Sequence, residues 1–225
     1  MFDANTEFTI STAKSIKTTP AWSLYRNFGK RMFDVFFVLA VSPLLVPLVA
    51  FLAVIVRLDG GSAFFLHQRI GHQGRKFHCW KLRTMVPNAE ERLREHLLNN
   101  SQEQAYWQEN FKLENDPRVT PIGKLLRKTS LDELPQFWNV LWGDMTVVGP
   151  RPVTAEEVAL YGPAAHVIQS VKPGVTGLWQ VSGRNDVSYA ERVAMDMTYV
   201  SKISLLGDLG IILRTVLVVI RRTGQ

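Results

Sequence analysis

The chain has 225 residues, 46% of them hydrophobic, a formal charge of +6 and one cysteine, Cys79. It is long enough to bury a core, while the lone cysteine excludes an internal disulfide and a thiolate zinc site, and the five histidines show no metal-ligand spacing. Residues 88–116 carry seven acids against three bases, which leaves 23 bases against 13 acids elsewhere; that surface suits phospholipid headgroups or nucleotides, and no helix-turn-helix, zinc-finger or RNP pattern points to nucleic acid.

Residues 1–27 are expected to form a polar tail, rich in Ser, Thr and Lys and without the charged-then-apolar order of a signal peptide. Residues 28–58 follow as an apolar helix, uncharged over the 22 residues Val35–Val56. Pro43 and Pro47 lie inside this run, so a break is predicted at Ser42-Pro43. The two arms, Asp34–Val41 and Leu44–Val56, would reach roughly 12 and 20 Å, each short of a ~30 Å hydrocarbon core. Lys30 and Arg31 precede the run while Arg57, Arg69, Arg75 and Lys76 follow it, so the flanking charge gives no crossing direction. A re-entrant helix satisfies both observations, and a kinked true span is the competing reading.

Residues 59–225 then read as a catalytic or binding domain. The segments SAFFLHQRI and RKFHCWKLRT, joined by GHQG, predict a β-hairpin. Residues 88–110 read as one charged helix. The C-terminal run LLGDLGIILRTVLVVIRR is interrupted by Asp208 and Arg214 and cannot span; an interfacial helix with Arg214, Arg221 and Arg222 near headgroups and a core helix both fit it.

The densest chemistry lies in residues 115–152, NDPRVTPIGKLLRKTSLDELPQFWNVLWGDMTVVGPRP. A capping box from Ser130 to Glu133 would put Pro135 where its missing N–H was needed, so Asp132 is the favoured helix cap, with Pro135 in the first turn. A carboxylate at the positive end of a helix and beside Arg118, Lys124, Arg127, Lys128 and Arg151 can attack phosphorus, with the arginines neutralising phosphate oxygens. The neighbouring carboxylate is a suitable Mg²⁺ ligand. A capped helix with surface ion pairs accounts for the same residues. Arg151 is fixed between Pro150 and Pro152, Lys81 and Arg83 share one side of a strand, and Trp179 and Arg184 occupy a glycine-rich loop that could contact a nucleotide.

In that order these motifs resemble the bacterial sugar transferase family, the monotopic phosphoglycosyl transferases, over residues 28–222, and within it the ExoY-type exopolysaccharide enzymes. The resemblance rests on KRMFDVFFVLAVSP, GGSAFFLHQRIGHQGRKFHCWKLRTM, the 115–152 segment and GVTGLWQVSGRNDVSYAERVAMDMTYV. It implies an α+β, mostly α fold, in which a re-entrant helix broken at Ser42-Pro43 anchors a small cytosolic domain with a β-hairpin and interfacial amphipathic helices. It implies a location on the cytoplasmic face of the bacterial inner membrane, in contact with phospholipid, with homo-oligomerisation left open. The implied reaction moves a hexose 1-phosphate, galactose or glucose, from a UDP-sugar to undecaprenyl phosphate with release of UMP. Asp132 would be the nucleophile and Glu133 the Mg²⁺ ligand, with Arg127, Arg151, Lys81 and Arg83 on substrate phosphate and Trp179 and Arg184 on the nucleotide. The alternatives are a non-catalytic membrane-anchored, anion-binding scaffold and an aspartyl-phosphate phosphatase.

Overall fold

The computed structural model describes residues 24–110, 113, 115–182 and 187–220. These residues are mostly helical, with two two-stranded sheets. A π-helical turn, Tyr25–Gly29, leads into α1, Lys30–Arg57, a helix of 28 residues. It is long and apolar enough to cross a membrane, and Phe36, Leu39, Leu44, Phe51 and Val54 are exposed along it.

Helical backbone continues through Ser42-Pro43, from Lys30 to Arg57. Pro43 cannot donate to the carbonyl four residues back, that of Leu39, but the Ser42 hydroxyl donates to it at 2.8 Å. The side chain next to the proline thus satisfies the acceptor that the proline orphans, and the helix survives.

The hairpin forms as expected. β1, Phe64–Ile70, pairs with β2, Lys76–Leu82, across the turn His72–Gly74, where Gln73 takes a left-handed conformation. The single charged helix expected over 88–110 is two, α2 (Ala89–Asn99) and α3 (Ser101–Asn110). Asn100 leaves helical geometry at φ −136° and ψ 86°, and its side-chain amide donates back to the His96 carbonyl. Then come α4 (Pro121–Thr129), a 3₁₀ turn at Leu131–Glu133, α5 (Gln136–Trp142), β3 (Thr146–Val148), α6 (Ala155–Leu160), α7 (Ala164–Ile168), β4 (Gly174–Thr176), α8 (Leu178–Ser182), α9 (Tyr189–Ser201) and α10 (Leu205–Ile220).

The chain divides into two compact units. Among the described residues, the first takes in 24–43, Leu66–Trp80 and the described part of 136–220. Its core joins Val38 of α1 and Cys79 of β2 to Val140, Met145, Val147, Val148, Tyr199, Val200, Ile203 and Ile211. β3 and β4 run parallel through it, with Thr146 opposite Gly174 and Val148 opposite Thr176. Buried charge ties α1 to this core: Asp34 accepts from the Thr146 hydroxyl at 2.6 Å and the Val147 N–H at 3.0 Å, and Lys30 pairs with Asp208 at 2.7 Å. Asp208 also accepts from the Tyr25 and Tyr199 hydroxyls, so its burial is compensated. The C-terminal run contributes to this core on one face. Asp208 and Ile211 of α10 are buried, while Leu206, Leu213, Leu217 and Ile220 are exposed; Arg221 and Arg222 lie outside the described residues.

Among the described residues, the second unit comprises Leu44–Phe65 and the described part of Lys81–Pro135. Leu52 and Val56 of α1 pack with Leu82 of β2 and Leu126 of α4. Thr120 caps α4 by accepting from the Gly123 N–H at 2.9 Å, with Pro121 at the first helical position.

Candidate active site

In the second unit, the acid pair sits in the link that follows α4. Ser130 ends that helix in the left-handed conformation (φ 57°, ψ 20°), and its N–H bonds back to the Arg127 carbonyl. The chain then makes the 3₁₀ turn, so Asp132 lies in mid-turn and is not the helix cap that the spacing suggested. The next helix starts at Gln136, and Pro135 falls just before it, where a missing N–H costs nothing. The Ser130–Glu133 capping box is absent too: Ser130 makes no side-chain cap bond, and the Glu133 side chain turns to Lys81.

Asp132 is 8% exposed. Burial lifts its carboxyl from the ordinary carboxylate range to about 6; Lys81 and Arg127 pull it down and Glu133 pushes it up. At neutral pH it is thus mostly ionised, yet more basic than a solvated aspartate. Glu133 accepts a charge-assisted bond from the Lys81 ammonium at 2.6 Å. Arg127 is aimed by Thr84, whose hydroxyl accepts from Nε at 2.9 Å. Thr84 also takes the Thr120 N–H on its carbonyl at 3.0 Å, and a Cβ at Gly123 would meet that carbonyl oxygen at 2.0 Å. One residue beyond β2 therefore seats the start of α4 and orients the arginine near its end. The reading of spacing missed Thr84, because nothing local connects it to a helical arginine 43 positions away.

Arg83 departs from expectation. Its Nε donates to the Ser62 carbonyl at 2.6 Å, one terminal nitrogen donates to Met85 at 3.0 Å, and the other donates to the Val56 carbonyl at 2.9 Å, to Asp59 at 2.5 Å and to the Gly60 carbonyl. All three nitrogens are engaged in closing the turn after α1, which leaves no fork for a phosphate.

In the first unit, Arg151 lies between buried Pro150 and Pro152. The loop is fixed by backbone: Gly149 N–H donates to the Thr176 carbonyl at 2.9 Å, and Gly174 N–H to the Pro150 carbonyl at 2.7 Å. A Cβ at Gly174 would lie 2.1 Å from the Gly149 nitrogen, which explains the first glycine of the GVTG stretch. The Arg151 guanidinium lies 5.8 Å from the Trp179 ring centre, and that of Arg192 lies 4.8 Å from it. Trp179 is 6% exposed, so its ring offers no open face to a base, contrary to the nucleotide contact expected from the loop composition. Arg184 lies outside the described residues.

The donors suit Mg²⁺ shared with a substrate: two adjacent carboxylates supply hard oxygen ligands, and Mg²⁺ habitually completes its shell with phosphate oxygens and water. No cluster of three or more His, Cys, Asp or Glu exists among the described residues, so an all-protein cage is not what these residues build.

Comparison with known proteins gives a match to the family described as bacterial sugar transferase over residues 25–222. The chain is 48% identical over 198 residues to an undecaprenyl-phosphate galactose phosphotransferase of Salmonella typhimurium, covering 88% of this chain and 42% of that protein. It therefore spans under half the length of that relative. It is 49% identical over 189 residues to the exopolysaccharide production protein ExoY of Rhizobium meliloti, covering 84% of each. It is 37% identical over 196 residues to a UDP-glucose:undecaprenyl-phosphate glucose-1-phosphate transferase of Caulobacter vibrioides, covering 83% of this chain and 68% of that one.

Proposed function

The chain belongs to the bacterial sugar transferase family, and from that premise we propose that it moves a hexose 1-phosphate from UDP-galactose or UDP-glucose to undecaprenyl phosphate, releasing UMP, as the first membrane step of an exopolysaccharide pathway. The observation that carries the chemistry is the buried Asp132 carboxylate, set in the field of Lys81 and Arg127 beside Glu133.

An Asp132 oxygen attacks the β-phosphorus of the UDP-sugar. The bond from that phosphorus to the oxygen bridging it to the α-phosphate breaks, and UMP departs with the electron pair. The phosphosugar is left as an acyl phosphate on Asp132. An oxygen of undecaprenyl phosphate then attacks the same phosphorus, the Asp132 oxygen leaves, and the carboxylate is restored. Desolvation makes Asp132 a better nucleophile than a solvated carboxylate, and Lys81 and Arg127 keep it ionised. Arg127 and Arg151 are assigned to phosphate oxygens, which a guanidinium fork meets in pairs. Glu133 would hold Mg²⁺, which supplies neutralisation of the diphosphate charge.

α1 serves as a re-entrant anchor on the cytoplasmic face of the inner membrane. Both halves of the helix carry core packing, Val38 in one and Leu52 and Val56 in the other, and both ends bond to polar residues later in the chain. Lys30 bonds Asp208, and the Val56 carbonyl accepts from Arg83. A straight crossing would carry one of these bonded ends across the apolar layer.

Purified protein incubated with undecaprenyl phosphate and a panel of UDP-sugars tests the reading. Lipid-linked sugar and UMP in equal amounts are expected. Neither product with any UDP-sugar would favour the scaffold, and inorganic phosphate in place of UMP would indicate a phosphatase.

A further inference from the structure

Arg151 is held in an unusual way for an arginine that is only half-exposed. Its guanidinium makes no hydrogen bond or ion pair among the described residues, and its direct side-chain neighbour is the face of Trp179. Its backbone, by contrast, is rigid: it lies between two prolines, the Pro150 carbonyl is bonded by Gly174, and the Val153 carbonyl accepts from the Ile70 N–H at 2.8 Å. The indole is fixed as well, buried at the start of α8 with Arg192 of α9 over the same ring. One turn along α9, Asp196 is 0% exposed. One of its oxygens accepts from the Tyr161 hydroxyl at 3.3 Å, and the other has no partner among the described residues.

A guanidinium can be oriented through its edge or through its face. A salt bridge holds the edge and uses up the N–H donors, whereas stacking on an aromatic face fixes the plane and leaves all five donors pointing outward. We infer that Trp179 is a positioning residue for Arg151: the indole sets the plane of the guanidinium, and its N–H edge stays free for a phosphate oxygen of the sugar nucleotide. This rests on the assignment of Arg151 to phosphate. It gives Trp179 a role that its burial permits, where base stacking is not permitted.

A double-mutant cycle on the whole chain separates positioning from general damage, with UDP-galactose as donor and undecaprenyl phosphate as acceptor. Trp179→Leu should raise the KM for UDP-galactose about tenfold, the size of a lost desolvated cation–π contact. Trp179→Phe, which keeps an aromatic face, should stay within about threefold of wild type. In an Arg151→Ala background, Trp179→Leu should cost less than about twofold, because the group it positions is gone. An equal penalty in both backgrounds would overturn the inference. If Trp179→Leu unfolds, Trp179→Met, apolar, without an aromatic face and closer in volume, runs the same cycle and carries the same two outcomes. Arg151→Ala with wild-type KM and kcat would remove the phosphate assignment itself, and the positioning role with it, a failure visible in the single variant alone.

Discussion

The Lys81 ammonium lies 2.6 Å from Glu133, and the same ammonium is the strongest attraction on the buried Asp132 carboxylate. One cation therefore serves two adjacent acids of like charge. Without it, burial and the charge of Glu133 would both act to keep Asp132 protonated.

The first prediction concerns that cation. Transfer requires ionised Asp132, so activity is lost as pH falls through about 6. Lys81 lowers that value, so Lys81→Met must raise it, moving the acid limb of kcat/KM upward by about one pH unit. Lys81→Arg keeps the charge and should restore most of the shift. A pH profile from about 5 to about 9 reads the limb directly, and an unmoved midpoint with Lys81→Met would detach Asp132 ionisation from the rate.

Asp132→Asn separates catalysis from stability. Loss of the nucleophile should lower transfer by about a thousandfold or more. The Asp132 carboxyl titrates at about 6 when folded, above its ordinary value of 3.8. Between these values the folded chain binds more protons than the unfolded one, so this residue's contribution makes stability fall as pH rises through the window. The amide of the variant does not titrate and has no such dependence. The variant should melt above wild type at about pH 7.5, and the gap should shrink as pH approaches about 4; a wild type that melts higher at the upper pH would contradict the raised value.

The hairpin was legible because its turn glycines and aromatic strands act locally, and the acid pair because its neighbours in sequence are basic. The run of helical backbone through Ser42-Pro43 was not, since the proline rule does not count a serine hydroxyl that donates to the orphaned Leu39 carbonyl. The position of Asp132 was misjudged for a related reason: cap rules assume that a helix follows, and the left-handed Ser130 inserts a 3₁₀ turn first. Thr84 with Arg127 and Lys81 with Glu133 are 43 and 52 residues apart, and no periodicity connects them. Arg83 resembled Lys81 in sequence and only tertiary structure separates them, one bonded to a site carboxylate, the other to a loop.

Arg83 gives the third prediction. Arg83→Lys keeps the charge opposite Asp59 but loses the fork that reaches Ser62, Met85, Val56 and Gly60 together. Leaving several of those carbonyls unpaired should cost about 2–4 kcal/mol of stability, seen as a lower Tm. The KM for the UDP-sugar, measured on protein that remains folded, should change less than about twofold. A large rise in KM with an unchanged Tm would return Arg83 to the phosphate site.

The anchor gives the last prediction, and α1 is what makes it sharp. Twenty-eight helical residues suffice for a ~30 Å core when straight, at about 1.5 Å each, so residue count alone does not decide the topology. The proposed re-entrant anchor keeps both ends on one face, the end where Lys30 bonds Asp208 and the end where the Val56 carbonyl accepts from Arg83. Leu24 is 67% exposed just before the helix and Leu58 is 81% exposed just after it, whereas Gly60, at φ +89°, would be strained by a side chain. The native Cys79 is 1% exposed and should stay silent to a membrane-impermeant thiol reagent. Leu24→Cys and Leu58→Cys, made singly, should both label in inside-out vesicles and neither in intact spheroplasts. Labelling of one in vesicles and the other in spheroplasts would make α1 a true span, with the two polar ends on opposite faces of the membrane.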